Sequence, residues 1–208
     1  MPRRPGKIVC VGRNYAAHAR ELGNPVPERP LLFLKPPSAI VRDGEPIVVP
    51  TASQRVEHEA EIAVVVGRTL RHASEEEARR GVRAVACLND VTARDLQQTD
   101  GQWTRAKGFD SFCPLGPEIA VGPDVDLGAL EVVGQVNGDV RQHGYTRDMT
   151  FPIPMLLAYI SAIMTLEPGD VVATGTPEGV GPLVAGDVVE VTIPGLGTLR
   201  NPVVAAPT

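Results

Sequence analysis

Apolar residues along this chain fall in short runs, and glycines and prolines separate one run from the next. KIVCVG at 7–12, LLFLK at 31–35 and PIVVP at 46–50 are of strand length and bounded by turn residues, which predicts three strands. VEHEAEIAVVVG at 56–67 predicts one longer strand. Its alternation puts Val56, His58, Ala60, Ile62, Val64 and Val66 on one face and Glu57, Glu59 and Glu61 on the other. Same-face neighbours on a strand sit about 6 to 7 Å apart, so ionised carboxylates there repel unless water screens them or a cation joins them.

Helical signals are fewer. In RNYAAHARELG, Asn14 is placed to cap a short helix and Gly23 to close it, while the prolines of NPVPERP forbid its continuation. Residues 13–30 therefore read as a helix flanked by loop and free to move. Ser74 precedes Glu77 by three residues, the spacing of a capping box, and Thr92 precedes Asp95 by the same interval, which predicts helices at both places. PIPMLLAYISAIMTLEPGD, with proline near its start and Pro-Gly at its end, is the strongest helix pattern. PGDVVATG and AGDVVEVTI repeat Gly-Asp-Val-Val seventeen residues apart and read as a hairpin-like pair. The expected fold class is α+β, predominantly β.

Composition narrows the function. A chain of 208 residues with 43% hydrophobic content suits one domain over residues 1–208. A net charge of −5 opposes nucleic-acid and anionic-membrane surfaces, so the expected partner is a small molecule. No apolar stretch reaches 18 residues, and the basic N-terminus lacks the apolar core of a secretion signal, so a cytoplasmic location is expected. Cys10, Cys87 and Cys113 are odd in number and widely spaced, which fits buried thiols in a reducing compartment.

The candidate chemistry starts from Glu59 and Glu61, which leave one strand face at a separation that a hard cation can bridge. Asp90, between the buried run VACL and a helix start, is the candidate third acid. An all-carboxylate set selects Mg²⁺ or Mn²⁺ over zinc. His18 and Glu21, three residues apart on one helix face, can pair to make a general base. Arg94, Gln97 and Lys107 could hold an anionic substrate, and TGTPEGVG at 174–181 offers Thr176 and glycine-freed N–H groups to a carboxylate. Taken singly, each pattern fits an ordinary protein surface at least as well. Glu57 reads as a rim residue and His58 as a hydrogen-bonded core histidine.

Taken in order, GRNYAAHARE, FLKPPSAI, VEHEAEIAVVVG, CLNDVTARDLQ, WTRAKGFDSFCPLGP, TGTPEGVG and GLGTLRNPV resemble the fumarylacetoacetate hydrolase family, in particular its short acylpyruvase-like members. The resemblance runs from about Lys7 to Val203, so the extra N-terminal domain of the longer hydrolases is not expected. It implies a mixed β-roll with peripheral helices, usually a homodimer. It also implies Glu59, Glu61 and Asp90 as ligands of Mg²⁺ or Mn²⁺, His18 and Glu21 as the water-activating pair of a lid, and Lys107 as a catalytic cation. Arg94, Gln97 and Thr176 are implied as the holders of a 2-oxo acid.

The implied activity is hydrolysis of the C3–C4 bond of an acylpyruvate through a pyruvate enolate. Oxaloacetate decarboxylation and isomerisation of a hydroxymuconate-type diacid are its chemical neighbours. A non-catalytic 2-oxo acid binding protein is the expectation from another class.

Overall fold

A computed structural model of the chain describes residues 4–122 and 125–207; Met1, Pro2 and Arg3 of the basic N-terminal stretch, Pro123, Asp124 and Thr208 lie outside the described residues. The molecule is mostly β, as the run pattern predicts. At its centre is a six-stranded sheet in the order Ile119–Ala120, Val82–Asn89, Ala60–Val66, Val171–Ala173, Ile8–Gly12, Leu31–Lys35. Ile8–Gly12 and Val171–Ala173 run parallel, and the other pairings are antiparallel.

Every residue of Ala60–Val66 is buried, because both faces of this sheet are covered. Val9, Val11, Ile62, Val64 and Val172 pack on one side with Leu156, Leu157 and Ile160 of the helix Ile153–Ile163. Ile8, Cys10, Ala63, Ala86 and Val171 form the other side with Cys113 and Leu115. All three cysteines are free and buried, as expected. A second sheet, in the order Asp139–Tyr145, Glu131–Val136, Val188–Ile193, Gly197–Ala205, Ile47–Val49, contributes Val132, Val191, Ile193 and Leu199 to the larger core. Among the described residues no helix is long and apolar enough to cross a membrane.

Four local expectations are corrected. The 56–67 segment is two strands, Val56–His58 in a small three-stranded sheet and Ala60–Val66 in the large one, separated at Glu59. The two Gly-Asp-Val-Val strands do not pair: Val171–Ala173 lies in the large sheet and Val188–Ile193 in the five-stranded one. Each Gly-Asp turn feeds a strand, but long-range pairing chose different neighbours. Thr92 and Asp95 form no capping box. The helix Arg94–Thr99 begins after Ala93, the Thr92 hydroxyl donates to the Asp90 carbonyl, and the Asp95 carboxylate accepts from Ser53 Oγ and Gln54 N. The Ser74 to Glu77 box does form.

Asn14 is the fourth correction. The helix Ala16–Glu21 starts after Tyr15 without a side-chain cap. The Asn14 amide is buried and instead donates to the carbonyls of Phe151 (3.1 Å) and Thr174 (2.8 Å), while its oxygen accepts from Phe151 N at 2.8 Å. It thereby ties the chain leaving Ile8–Gly12 to two segments more than a hundred residues away. Asn14→Ala leaves three buried backbone groups without their partner, and should cost on the order of 3 kcal/mol in urea unfolding; a loss below about 1 kcal/mol would contradict the tether.

Candidate active site

The separation at Glu59 assembles the site. Glu59 sits between two strands that belong to different sheets, and its backbone is fixed by its neighbours: Glu59 N donates to Asn89 Oδ1 and Asp90 N donates to the Glu59 carbonyl, both at 2.9 Å. Asn89 pairs with Ala60 at the end of the Val82–Asn89 strand, which brings Asp90 beside the glutamates. Glu61 receives a hydrogen bond from Gly175 N at 2.8 Å. Gly175 has φ of +103°, a conformation that glycine adopts without a Cβ penalty. The glycine-freed N–H groups of TGTPEGVG thus serve a carboxylate, but one of the protein's own.

Ligand oxygens of Glu59, Glu61 and Asp90 all lie within 4.8 Å of one another, and all three residues are buried. Cations surround them. Lys107 Nζ donates to Glu59 Oε2 (2.8 Å) and Asp90 Oδ2 (2.6 Å), Lys35 Nζ to Asp90 Oδ1 (2.5 Å), and Arg94 Nη2 to Glu59 Oε1 (2.6 Å). Arg94 also donates through Nε to Glu57 Oε2 (2.7 Å) and through Nη1 to Gln97 Oε1 (2.6 Å). Glu57 is therefore no rim residue: it is 1% exposed and fixes the Arg94 guanidinium from behind. His58 is the hydrogen-bonded core histidine expected, its Nδ1 facing Gln142 Oε1 at 2.9 Å.

Burial pushes the Glu59 carboxyl up, yet Lys107 and Arg94 outweigh it and hold the group well below the usual carboxylate range. By linkage this is stability present above the unfolded value of about 4.3 and lost as pH falls toward the folded one. Glu61 behaves oppositely. Burial, Asp90 and Glu59 push its carboxyl well up, and among the described residues no lysine or arginine hydrogen-bonds to it. Lys107 and Arg94 are pushed down by burial but raised overall by the carboxylates they touch, so both stay charged.

The three acids fit a hard divalent cation on this chemistry. Their donors are all carboxylate oxygens, an ammonium already bridges two of them, and the third has no hydrogen bond from a lysine or arginine among the described residues.

A cleft of about 300 Å³ opens onto the acids. Arg94, Gln97, Lys107 and Thr176 line it, as do Phe33 and Trp103. The loop and helix after Ile8–Gly12 supply Arg13, His18, Leu22 and Asn24. The Thr176 hydroxyl donates to the Ala60 carbonyl (2.9 Å) and accepts from Gln142 Nε2 (2.7 Å). His18 Nδ1 faces Glu21 Oε2 at 3.1 Å, and Glu21 Oε1 accepts from Gly179 N at 2.9 Å. With Nδ1–H donating to that carboxylate, the Nε2 lone pair is left free.

All nine residues singled out from the sequence thus lie at or beside one cleft. Lys35 and Asn89 were not singled out, and Glu57 was placed at the rim. Lys35 did leave a trace, a lysine closing the apolar run LLFLK, but its partner lies 55 residues away.

The family profile described as Fumarylacetoacetate (FAA) hydrolase C-terminal matches residues 7–204. The Escherichia coli protein named oxaloacetate tautomerase YcgM is 45% identical over 196 residues, spanning 91% of this chain and 89% of its own. The crystal structure of a 5-carboxymethyl-2-hydroxymuconate delta-isomerase from Mycobacterium smegmatis superposes with a TM-score of 0.90 at 47% identity, over 100% of this chain and 82% of that one. That of a 2-hydroxyhepta-2,4-diene-1,7-dioate isomerase from Mycobacterium marinum gives 0.89 at 45%, over 100% and 77%.

An acid whose folded pKa lies above its unfolded one withdraws stability once pH exceeds the unfolded value. Glu61→Gln keeps an acceptor for Gly175 N–H and removes the unbalanced charge. It should raise the melting temperature in EDTA at pH 7 by roughly 2 to 4 °C, the shift that about 1 kcal/mol produces at this size. A lower melting temperature would show that the charge is already offset.

Proposed function

The chain belongs to the fumarylacetoacetate hydrolase family, and from that premise we propose that it catalyses keto–enol exchange of a 2-oxo acid, with oxaloacetate as the substrate. The observation that carries this reading is one cleft in which a carboxylate-oriented imidazole and a buried ammonium share the wall with three converging carboxylates. The relative named as an oxaloacetate tautomerase supports it, and so do the neighbours named as isomerases of unsaturated dioates, whose chemistry moves a proton in the same way.

Glu59, Glu61 and Asp90 would hold Mg²⁺ or Mn²⁺, which when bound supplies Lewis-acid stabilisation of negative charge on the substrate's oxygens. The chain's own groups do the rest. Arg94, aligned by Glu57 and joined to Gln97, offers hydrogen bonds to the substrate carboxylate. Lys107 stays an ammonium and donates to the oxygen that gains charge as the enolate forms. His18 takes the proton from C3 through Nε2 while Glu21 holds its other nitrogen. The C3–H pair becomes the C2=C3 bond, the C2=O π pair moves onto the oxygen, and the His18 imidazolium gives its proton to that oxygen; the reverse sequence returns the keto form. Residues 13–30, which bring His18 to the cleft, would cover it during turnover.

Acylpyruvate hydrolysis is the second reading, and the His18–Glu21 pair favours it, since an oriented base serves water as well as a C–H bond. The acid–base step separates these reactions from decarboxylation, which needs no proton abstraction.

With Mg²⁺, the purified protein should accelerate the loss of enol absorbance of oxaloacetate. EDTA should remove that activity, and Mg²⁺ should raise the melting temperature saturably. Activity and melting temperature that ignore EDTA and Mg²⁺ would refute the metal dependence. His18→Ala should lower tautomerisation by about 10²- to 10⁴-fold and abolish release of pyruvate from acetylpyruvate, while sparing oxaloacetate decarboxylation. Equal loss of all three would show that His18 is no base.

A further inference from the structure

One cation on the cleft wall takes no part in the carboxylate network. Arg13 lines the cleft and, among the described residues, makes no hydrogen bond or salt bridge through its guanidinium. Among the described residues it meets an aromatic face: the guanidinium carbon sits 6.0 Å from the centre of the Trp103 ring. Trp103 meets Phe33 edge-on with ring centres 5.2 Å apart, and Lys107 Nζ lies 5.0 Å from the Phe33 ring. A series of contacts thus runs from the acids through Lys107, Phe33 and Trp103 to Arg13. Gly12 makes that packing possible, because a Cβ there would stand 2.9 Å from a Trp103 ring carbon.

Arg13 also has φ of +58°. The left-handed region disfavours any residue with a Cβ, and strain of this kind collects at ligand-binding positions. A strained arginine beside a binding cleft, without an acid to satisfy it, is a guanidinium kept available.

Charge points to what it awaits. Glu57, Glu59 and Asp90 already have cationic partners in Lys35, Arg55, Arg94 and Lys107, so Arg13 is a positive charge beyond those that answer the acids. A divalent cation on the acids would add further positive charge to the cleft. A dicarboxylate offsets more of it than a monocarboxylate does.

We propose that Arg13 binds a second, distal carboxylate and makes this cleft selective for 2-oxo dicarboxylates over 2-oxo monocarboxylates. This rests on the enolisation reading above and adds a specificity determinant to it. The guanidinium donates paired hydrogen bonds to the distal carboxylate, and the Trp103 face keeps it directed along the wall.

The test uses stable probes that differ only in the distal group. In the presence of Mg²⁺, calorimetry compares malate with lactate for wild type, Arg13→Asn and Arg13→Lys. Asparagine tolerates the left-handed backbone, so Arg13→Asn removes the charge without adding strain. Wild type should bind malate at least about 10-fold more tightly than lactate, and Arg13→Asn should cut malate affinity by about 10- to 100-fold while leaving lactate within about 3-fold. Arg13→Lys should recover part of the preference. In parallel, the kcat/KM ratio of oxaloacetate to acetylpyruvate should fall in Arg13→Asn, chiefly through KM.

An unchanged malate preference in Arg13→Asn, or equal losses for malate and lactate, overturns the proposal. Failure of the enolisation reading looks different: malate and lactate binding respond to Arg13 as stated, but wild type turns over neither 2-oxo acid.

Discussion

The structure depends on how four carboxylates are kept in one dry place. Glu57, Glu59, Glu61 and Asp90 are each at most 4% exposed, and bare charges at that depth would cost several kcal/mol apiece. Lys35, Arg94 and Lys107 offset most of that cost, and every one of them is itself buried. The network is shared: Glu59 meets both Arg94 and Lys107, Asp90 both Lys35 and Lys107, and Glu57 both Arg94 and Arg55, while Lys35 depends on Asp90 alone for a carboxylate among the described residues. Among the described residues Glu61 is the member that no lysine or arginine hydrogen-bonds, and that gap suits the cluster to a cation, as proposed above.

Two unlike parts of the fold hold this network in register. The large sheet, buried on both faces, carries Glu61 and ends at Asn89 beside Asp90, so those positions inherit the stiffness of a packed core. The helix Ala16–Glu21 brings His18, and it is held by Asn14 and by the bond from Gly179 to Glu21, with far less buried apolar surface of its own. Glu61 thus sits on a rigid strand and Glu59 and Asp90 at strand ends, while His18, the proposed base, sits on a short helix that a few hydrogen bonds retain.

Most of the candidate site was legible before any coordinates. The E-x-E spacing, the aspartate after VACL and the helix pair His18–Glu21 are local patterns, and local spacing alone sets which of those side chains can meet. What the spacing could not supply was the sign of burial. Glu57 and Glu59 look like an exposed face in the alternation, and Glu57 was read as rim, because nothing within a few residues reveals that Arg94 packs over it from 37 positions away. The same blindness misread Asn14 and Thr92, whose polar side chains have local options that lost to distant carbonyls or to a tighter turn. The paired Gly-Asp-Val-Val segments failed for the related reason that a strand's sequence fixes its propensity but not its neighbour.

By itself, then, the sequence determined the class of fold, the family and the candidate acids and base, since periodicity, turn chemistry and ordered motifs all act over short range. Only the tertiary structure decided where the strand is interrupted at Glu59, which lysines and arginines answer which carboxylates, and that Arg13 is left with an aromatic face for company. Those outcomes depend on pairings between residues tens to more than a hundred positions apart, and desolvation, which sets their energies, exists only once the chain has closed over them.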